Sequence, residues 1–465
     1  MENKNLSTFS KALDKACSKI KSFVNDIVDA ESFVETDAFL TGKGFDSALE
    51  ALGEGVITGY ATIQGHPVHL FAQNAEVLKG SMSQAQEAKI SKAMQRAVSA
   101  GVPFVSIIDC SGARVGEGAA VLESYAQLIY NGAALTSNVP HIVIVKGVAV
   151  GMMATYVAGA DFVFMSKDAI MSVNSPMYLA SDVKNFPVNY TQLIGYDNYA
   201  NSTDLAQFVY KDTADLSAQL ARLFATILPA DEDESEDDPN RIDPALDGAL
   251  TAAQRTESVC DKGSVITFNE GYAPEVVCSL AKINGISVGV IATEGDYISQ
   301  EGVEKATDFI DKLESFDLPL VTLVDTLGVN PTLEQELGGF AKKTNRLMQT
   351  IASSSIAKIG VAVGNAVGFG YSAFMSKSLG FGYTLACEHS VISPIPSDTA
   401  VVAMMNDQLK EGGNSEELRA KLAEKYQQIQ ANPLVAAKDG YIDNVIEACN
   451  IRPYVSSALL MLLGL

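Results

Sequence analysis

Hydrophobic and polar positions follow two different periods along this chain, and the changes of period mark its parts. From residue 7 to 52 apolar residues return every three or four positions (Phe9, Leu13, Ala16, Ile20, Phe23, Ile27), the spacing of helices that bury one face. From about 56 to 228 short β-branched runs alternate with longer amphipathic stretches, as where "EAKISKAMQRAVSAG" leads straight into "VPFVSIID". That order predicts an α/β domain, with helices covering a sheet. An acidic run edged by proline, "PADEDESEDDPNRIDP" (229–244), then breaks the pattern and reads as a solvated linker. The alternation resumes from about 245 to 447 and closes on "VSSALLMLLGL", which predicts a packed terminal helix. The chain therefore divides into N-terminal helices (1–52), a first α/β domain (53–228), a linker (229–244) and a second α/β domain (245–465).

The two α/β domains repeat each other. "VPFVSIIDCSG" (102–112) is matched by "LPLVTLVDTLG" (318–328): each is a proline, a β-branched run, an aspartate and a glycine three residues on. "GVAVG" (147–151) returns as "GNAVG" (364–368), "FMSK" (164–167) as "FMSK" (374–377), and "SVNSP" (172–176) as "SVISP" (390–394). Upstream, "YATIQGHPVHLFA" (60–72) faces "LAKINGISVGVIA" (280–292). Conserved order at a nearly constant offset identifies a tandem duplication of one domain-sized unit.

Composition narrows the function. The 465 residues are 47% apolar and 19% charged, enough for two buried cores. Lys and Arg total 33 against 56 Asp and Glu, a net charge of −23 that opposes binding to nucleic acid or anionic lipid. The cysteines (Cys17, Cys110, Cys260, Cys278, Cys387, Cys449) share no C-x-x-C spacing and read as reduced core thiols of a cytoplasmic chain. The start of the chain has no apolar signal region, and no apolar run approaches the length of a membrane span. Four histidines (His66, His69, His141, His389) lack metal-ligand spacing, so no metal is expected, and there is no G-x-S-x-G elbow. His66 and His69 read as structural residues flanking a strand, His141 as lying just before one, and Asp109 and Asp325 as turn-capping residues.

The chemistry left over is backbone chemistry. In "VPHIVIVKGVAVGMMATYVAGADF" a strand ending at Val145 would be followed by a glycine turn and a helix opening at Gly151; the second copy puts a helix start near Gly368. First-turn N–H groups aimed past small residues stabilise negative charge. One such turn alone more often serves tight strand-to-helix packing. Two at matching places suit a reaction with two enolate-like partners.

Taken together, "TGYATIQGHPVHLFAQN", "LKGSMSQAQEAKISKAMQRAVSAGVPFVSIIDCSGARVGEG", "GYAPEVVCSLAKINGISVGVIA", "LPLVTLVDTLGVNPTLEQELGG" and "YQQIQANPLVAAKDGYIDNVI" resemble the carboxyltransferase subunits of biotin-dependent acyl-CoA carboxylases and decarboxylases, of the propionyl-CoA carboxylase beta and methylmalonyl-CoA or glutaconyl-CoA decarboxylase alpha type. The resemblance runs from about residue 50 to 453. It implies two tandem crotonase-like α/β domains, with the active site between the N-terminal domain of one subunit and the C-terminal domain of another. It also implies transfer of CO2 between carboxybiotin, held on a separate biotin carrier protein, and the α-carbon of a coenzyme A thioester. The partners implied are that carrier, a biotin carboxylase or a membrane decarboxylase subunit, and further copies of the chain as a dimer or trimer of dimers.

By the same resemblance the N–H groups of Gly151 and Met152 face the thioester enolate oxygen, and those of Gly368 and Phe369 face the ureido oxygen of biotin. On the CoA side it implies Lys79, Gly80, Ser81, Ser111, Gly112, Ala113, Arg114 and Gly147; on the biotin side, Gly328, Val329, Gly364, Tyr371 and Ser372. Arg114 is also open to a structural ion pair with Glu117. Family members carry glycine where this chain has Met152 and often where it has Phe369, and propionyl-type members carry aspartate at Ser372. Tyr199 stands near the place of a family histidine, and the stretch after "SVNSP" is compressed. The sequence has no "MKM" carrier motif and no four-cysteine zinc ribbon, so biotin would arrive on another protein. Two other readings stay open: a catalytically silent assembly subunit, and a biotin-independent hydratase or isomerase using Glu117 or Glu123 as base. The direction of transfer is not legible, because one enolate lies on both paths.

Overall fold

The alternation of strand and helix folds into two units, Met1–Ala225 and Thr226–Leu465. The computed structural model describes residues 2–40, 52–181, 189–228, 235, 237–404 and 416–465, with side chains from residue 10 onward. In the first unit, β1 (Val34–Thr36), β2 (Val56–Ile63), β3 (His66–Gln73), β4 (Phe104–Cys110), β5 (His141–Val150) and β6 (Phe162–Ser166) lie in that order across one sheet. β7 (Ile170–Ser172) runs beside the end of β5, and β8 (Phe208–Tyr210) closes the far edge beside β6. β2 and β3 form an antiparallel hairpin, and every pairing from β3 to β8 is parallel. Parallel pairing needs crossovers, and α2 (Gln84–Ala100) and α3 (Ala119–Thr136) supply two of them.

The second unit repeats this topology strand for strand. β9 (Ile266–Phe268), β10 (Val276–Ile283), β11 (Ile286–Thr293), then β13 (Leu320–Thr326), β15 (Lys358–Val367), β16 (Tyr383–Cys387) and β18 (Asn444–Ile446) cross one sheet in that order, with β17 (Val391–Ser393) beside the end of β15. Two short strands, β12 (Tyr297–Ile298) and β14 (Gly328–Val329), pair on their own. Even the hairpins match. The turn residues Gln64 and Gly65, both at positive φ, donate their N–H groups to the Asp29 carboxylate at 3.0 and 2.8 Å; Asn284 and Gly285 do the same to Asp261 at 2.9 and 2.8 Å. A side-chain carboxylate thus satisfies the turn amides in each copy.

Each unit has its own core. In the first, Phe71, Phe104, Val143, Met153 and Tyr156 pack between sheet and helices; in the second, Val290, Leu323, Val361, Val455 and Leu459 do. The terminal helix Ile451–Leu463 is packed through Ile451, Val455, Ala458 and Leu459, as its pattern predicts. Helix α1 (Glu2–Ile27) buries Leu13, Cys17, Ile20, Val24 and Ile27, each large apolar side chain contributing about 1.5–3 kcal/mol. Residues 41–51 of the expected N-terminal helices lie outside the described residues.

Four sequence expectations change. Among the described residues the expected N-terminal helices stop at Ile27, and within their span Val34–Thr36 forms β1 because it pairs antiparallel with the edge of β2. His66 and His69 belong to β3 itself, and His141 opens β5 as a fully buried residue. The strand expected to stop at Val145 continues to Val150, because an irregular register lets the glycine at 147 sit within it. The acidic run is not simply solvated where it is described: Asp237 forms ion pairs with Arg241 and with the buried Arg452, and the Asp243 side chain caps the turn Pro244–Asp247. Residues 229–234 and 236 of that run lie outside the described residues, as do 182–188 of the compressed stretch.

Candidate functional site

Three segments meet at the carboxyl end of the first parallel sheet, the end at which open α/β sheets bind ligands. The first is the loop Leu78–Met82, the second runs from Ser111 to Glu117, and the third is the end of β5 with α4 (Met152–Ala158). Ser111 donates its N–H to the Lys79 carbonyl (3.2 Å), Met82 to Gly112 (2.9 Å) and Arg114 to Met82 (2.9 Å). Gly80 passes so close to the strand that an added Cβ would lie 2.0 Å from the Asp109 carbonyl oxygen. Lys79, Ser111 and Ala113 are exposed, while Gly80 and Gly112 are buried beneath them. The CoA-side residues expected from the sequence are thus neighbours in one loop cluster.

The second unit builds the same cluster from Gly295–Ile298, Leu327–Asn330 and the end of β15 with the helix Phe369–Phe374. Leu327 donates to the Asp296 carbonyl at 3.2 Å, and Val329 pairs with Ile298. Gly328, Val329, Gly364, Gly368, Phe369, Tyr371 and Ser372 all lie in these segments, and the Ser372 N–H returns to the Gly368 carbonyl at 3.1 Å. Burial raises the Tyr371 phenol above its ordinary pKa, so it stays protonated at neutral pH.

The turn glycines occupy backbone that other residues avoid. Gly151 has φ 72° and ψ −139°, and Gly368 has φ 52° and ψ −110°. Their N–H groups are not free, which corrects one part of the sequence reading. Gly151 donates to the Ser172 carbonyl on β7 at 2.9 Å, and Gly368 donates to the Ser393 carbonyl on β17 at 2.8 Å. The glycines join the turn to the short strand beside it. Met152 and Phe369 are the first helical residues, whose N–H groups have no carbonyl one turn back to bind. Their bulky side chains are accommodated differently: Met152 is 40% exposed, and the Phe369 ring turns edge-on to Phe374, with centroids 6.2 Å apart.

Arg114 is held in a structural pair. Its guanidinium lies 2.6 Å from the fully buried Glu54 carboxylate, reaches the Ser81 carbonyl at 3.3 Å, and is 3.5 Å from Glu117. Ser83, which caps α2, also donates to Glu54 at 3.1 Å. The partner expected at Glu117 is therefore secondary to one 60 positions away. Glu117 accepts the Gln84 N–H at 2.8 Å at the start of α2, and Glu123 is exposed on α3.

Sequence reasoning missed two buried lysines. Lys89 on α2 donates to the carbonyls of Gly53 and Val56 (3.1 and 2.7 Å), and Lys305, on the helix Gln300–Ser315, donates to those of Asn269 and Tyr272 (3.0 and 2.7 Å). Burial lowers the pKa of both amines. They occupy equivalent places in the repeat, 216 positions apart, so alignment of the two halves was the available signal. Cys110, beside Gly112, is pushed up in pKa by burial and is no nucleophile at neutral pH. Among the described residues no cluster of His, Cys, Asp and Glu could hold a metal, and no helix is long and apolar enough to cross a membrane.

Comparison with known proteins gives the family and the fold. The family model for the carboxyl transferase domain matches residues 22–463. The chain is 30% identical to the methylmalonyl-CoA carboxyltransferase 12S subunit of Propionibacterium freudenreichii subsp. shermanii, over 94% of its own length and 87% of that protein. It is 28% identical to the propionyl-CoA carboxylase beta chain of Roseobacter denitrificans (94% and 88% covered). It is also 28% identical to the methylmalonyl-CoA decarboxylase subunit alpha of Propionigenium modestum (94% and 89% covered). A solved structure of transcarboxylase 12S, described as a hexamer assembly with methylmalonyl-coenzyme A and methylmalonic acid bound, superposes with a TM-score of 0.85 at 26% identity, over 98% of this chain and 92% of that one.

Proposed function

Because the chain belongs to the carboxyl transferase domain family, we propose that its two crotonase-like units divide one acyl-CoA carboxyl transfer between them. The enzyme moves CO2 between carboxybiotin and the α-carbon of an acyl-CoA, within a carboxylase or a decarboxylase complex. Relatives act on methylmalonyl-CoA and propionyl-CoA, and a short-chain acyl-CoA of this kind is the substrate carried over to this chain. Biotin enters as a substrate presented by a carrier protein, giving up CO2 as carboxybiotin or accepting it according to the direction of transfer. The proposal includes a homo-oligomer, a dimer or trimer of dimers, in the cytoplasm.

The observation that carries this reading is the doubled turn. Loss of a proton or of CO2 from the α-carbon puts charge on the thioester oxygen, and departure of CO2 from biotin puts charge on the ureido oxygen. Each needs a preorganised donor. In the first unit the Met152 N–H fills that role and Gly151 shapes the turn that aims it; in the second, Phe369 and Gly368 divide the task the same way. Lys79, Ser111 and Ala113 form the exposed rim that would receive the CoA thioester. Tyr371 and Ser372 line the biotin side. A hydratase or isomerase leaves the second turn without a use, and Glu117 is engaged at the start of α2. Met152 is 40% exposed and the Phe369 ring packs edge-on to Phe374, and we read this as favouring a working enzyme over a silent subunit.

The direct test is CO2 release from methylmalonyl-CoA and malonyl-CoA by the purified protein, with free biotin or a biotinylated carrier as acceptor. Biotin-dependent turnover is expected. Turnover that ignores biotin would move the reading to a hydratase-type enzyme, and none with any acyl-CoA, in folded protein, to an assembly subunit.

A further inference from the structure

The sheet ladders of both units break at the same place. Ile108 faces Val145 and Cys110 faces Ala149, so two steps along β4 are matched by four along β5; Val324 faces Ala362 and Thr326 faces Ala366, repeating the mismatch in the second unit. Opposite each bulge stands an aspartate. The Asp109 carboxylate accepts the N–H of Val148 at 3.2 Å, and the Asp325 carboxylate accepts the N–H of Asn365 at 2.9 Å. These are partly buried amides that a bulged strand withdraws from its ladder, and the carboxylate supplies the acceptor each has lost.

The residue before each amide is a glycine for a definite reason. A Cβ on Gly147 would lie 2.3 Å from Asp109 Oδ1, and a Cβ on Gly364 would lie 2.3 Å from Asp325 Oδ1. Each carboxylate is neutralised, but by unrelated residues: Lys146 at 3.2 Å in the first unit, Arg255 at 3.0 Å in the second. The countercharge differs between the copies while the carboxylate, glycine and bulge are retained. What the two copies share is the route from bulge to turn, four residues from Gly147 to Gly151 and four from Gly364 to Gly368.

We propose that Asp109 and Asp325 are positioning residues for the two half-reactions, each pinning the bulge that sets where the following turn holds its Met152 or Phe369 N–H. Gly147 and Gly364 are the clearance each pin requires. Gly147 and Gly364, expected from family resemblance to line the two substrate sides, act here through the aspartate behind them. The inference rests on the carboxyltransferase reading for its kinetics, and on the fold alone for its geometry.

The test uses the full chain, with CO2 release from methylmalonyl-CoA to free biotin as the assay. Asp109→Ala is expected to lower kcat about 100-fold, as a misplaced donor does, with the acyl-CoA KM held within about threefold. Asp109→Asn keeps an oxygen facing Val148 and is expected to recover most of that loss. Gly147→Ala is expected to reproduce the loss, and the double variant Asp109→Ala/Gly147→Ala to be no slower than Asp109→Ala alone, since both break one contact. Asp325 and Gly364 are expected to behave alike. Unchanged kcat in folded Asp109→Ala, a change in KM alone, or additive losses in the double variant would overturn the proposal. Hydrogen exchange over 146–153 and 363–370 reads the pin without turnover: each aspartate variant is expected to speed exchange in its own segment only. Exchange unchanged in both would overturn the pin even if the wild type proves inactive, whereas a wild type that transfers no carboxyl group bears only on the carboxyltransferase reading. Should Asp109→Ala fail to fold, Asp109→Asn and Gly147→Ala carry the same comparison, and equal exchange in these and the wild type would overturn it.

Discussion

The Arg114 guanidinium lies 2.6 Å from the carboxylate of Glu54, a side chain with no exposed surface, and so ties the loop after β4 to the turn before β2. A buried pair of this kind is not valuable for its own attraction, which desolvation largely offsets. Its importance appears when one partner is removed and the other charge is left behind. Arg114→Ala is therefore expected to destabilise the protein by about 3–5 kcal/mol in urea denaturation, and Arg114→Lys to restore little, since lysine lacks the planar fork. A loss below about 1 kcal/mol would instead place Arg114 on ligand rather than on Glu54.

The free amides at the two helix starts can be removed without touching the glycines. Proline is tolerated at the first position of a helix, so Met152→Pro and Phe369→Pro delete one N–H each and leave the Gly151–Ser172 and Gly368–Ser393 bonds in place. Each is expected to lower kcat by about 100- to 1,000-fold with the melting temperature nearly unchanged. Gly151→Pro would instead remove the bond to β7 while keeping the Met152 N–H, and because proline cannot adopt the φ of 72° it is expected to lower the melting temperature. Full activity in Met152→Pro would move the oxyanion donor elsewhere.

His141 makes stability depend on acid. Burial pushes its pKa down to about 3 from an ordinary 6.5, while Nε2 sits 2.9 Å from the Ser106 hydroxyl and 3.1 Å from that of Tyr156. The folded state keeps the ring neutral; the unfolded chain binds a proton below pH 6.5. Stability from this group is thus complete above that pH and lost as the pH falls toward 3, at up to about 1.4 kcal/mol per pH unit. Denaturation of His141→Gln between pH 7 and 4.5 is expected to show a flatter slope than the wild type. Parallel curves would assign the acid sensitivity to other groups.

The thiols should prove inert with one exception. Cys17, Cys110, Cys260, Cys278 and Cys387 are buried, and burial raises their pKa values. Cys449 is partly exposed, and desolvation and the carboxylates of Asp247 and Glu447 raise its thiol as well. Iodoacetamide on native protein at pH 8 is expected to label Cys449 alone, and slowly, by mass spectrometry of peptides. Rapid labelling of Cys110 would show the loop after β4 opening in solution.

Much of this protein was legible in its order of residues. Apolar period distinguishes α1 from the strands, proline and glycine mark the turns, and the repeated "FMSK" and "SxxSP" segments reveal the duplication that the two sheets then display. These are local signals, and local signals survive in sequence because each element must bury its own face. The turn at Gly151 could be found in this way, since its φ of 72° demands glycine whatever surrounds it.

What the sequence could not determine is which groups meet across the fold. Nothing in the spacing says that Arg114 would choose Glu54 over the nearer Glu117, or that the Gly151 N–H would turn toward Ser172 and leave the Met152 amide as the free donor. The bulge opposite Asp109 extends β5 past the expected stop at Val145, and it exists only where two strands pair with unequal advance. Amphipathic period and turn chemistry are properties of neighbouring residues, and the sequence determined those. A hydrogen bond or ion pair between residues 40 to 60 positions apart depends on the packed sheet that brings them within 3 Å, and only the tertiary structure decided it.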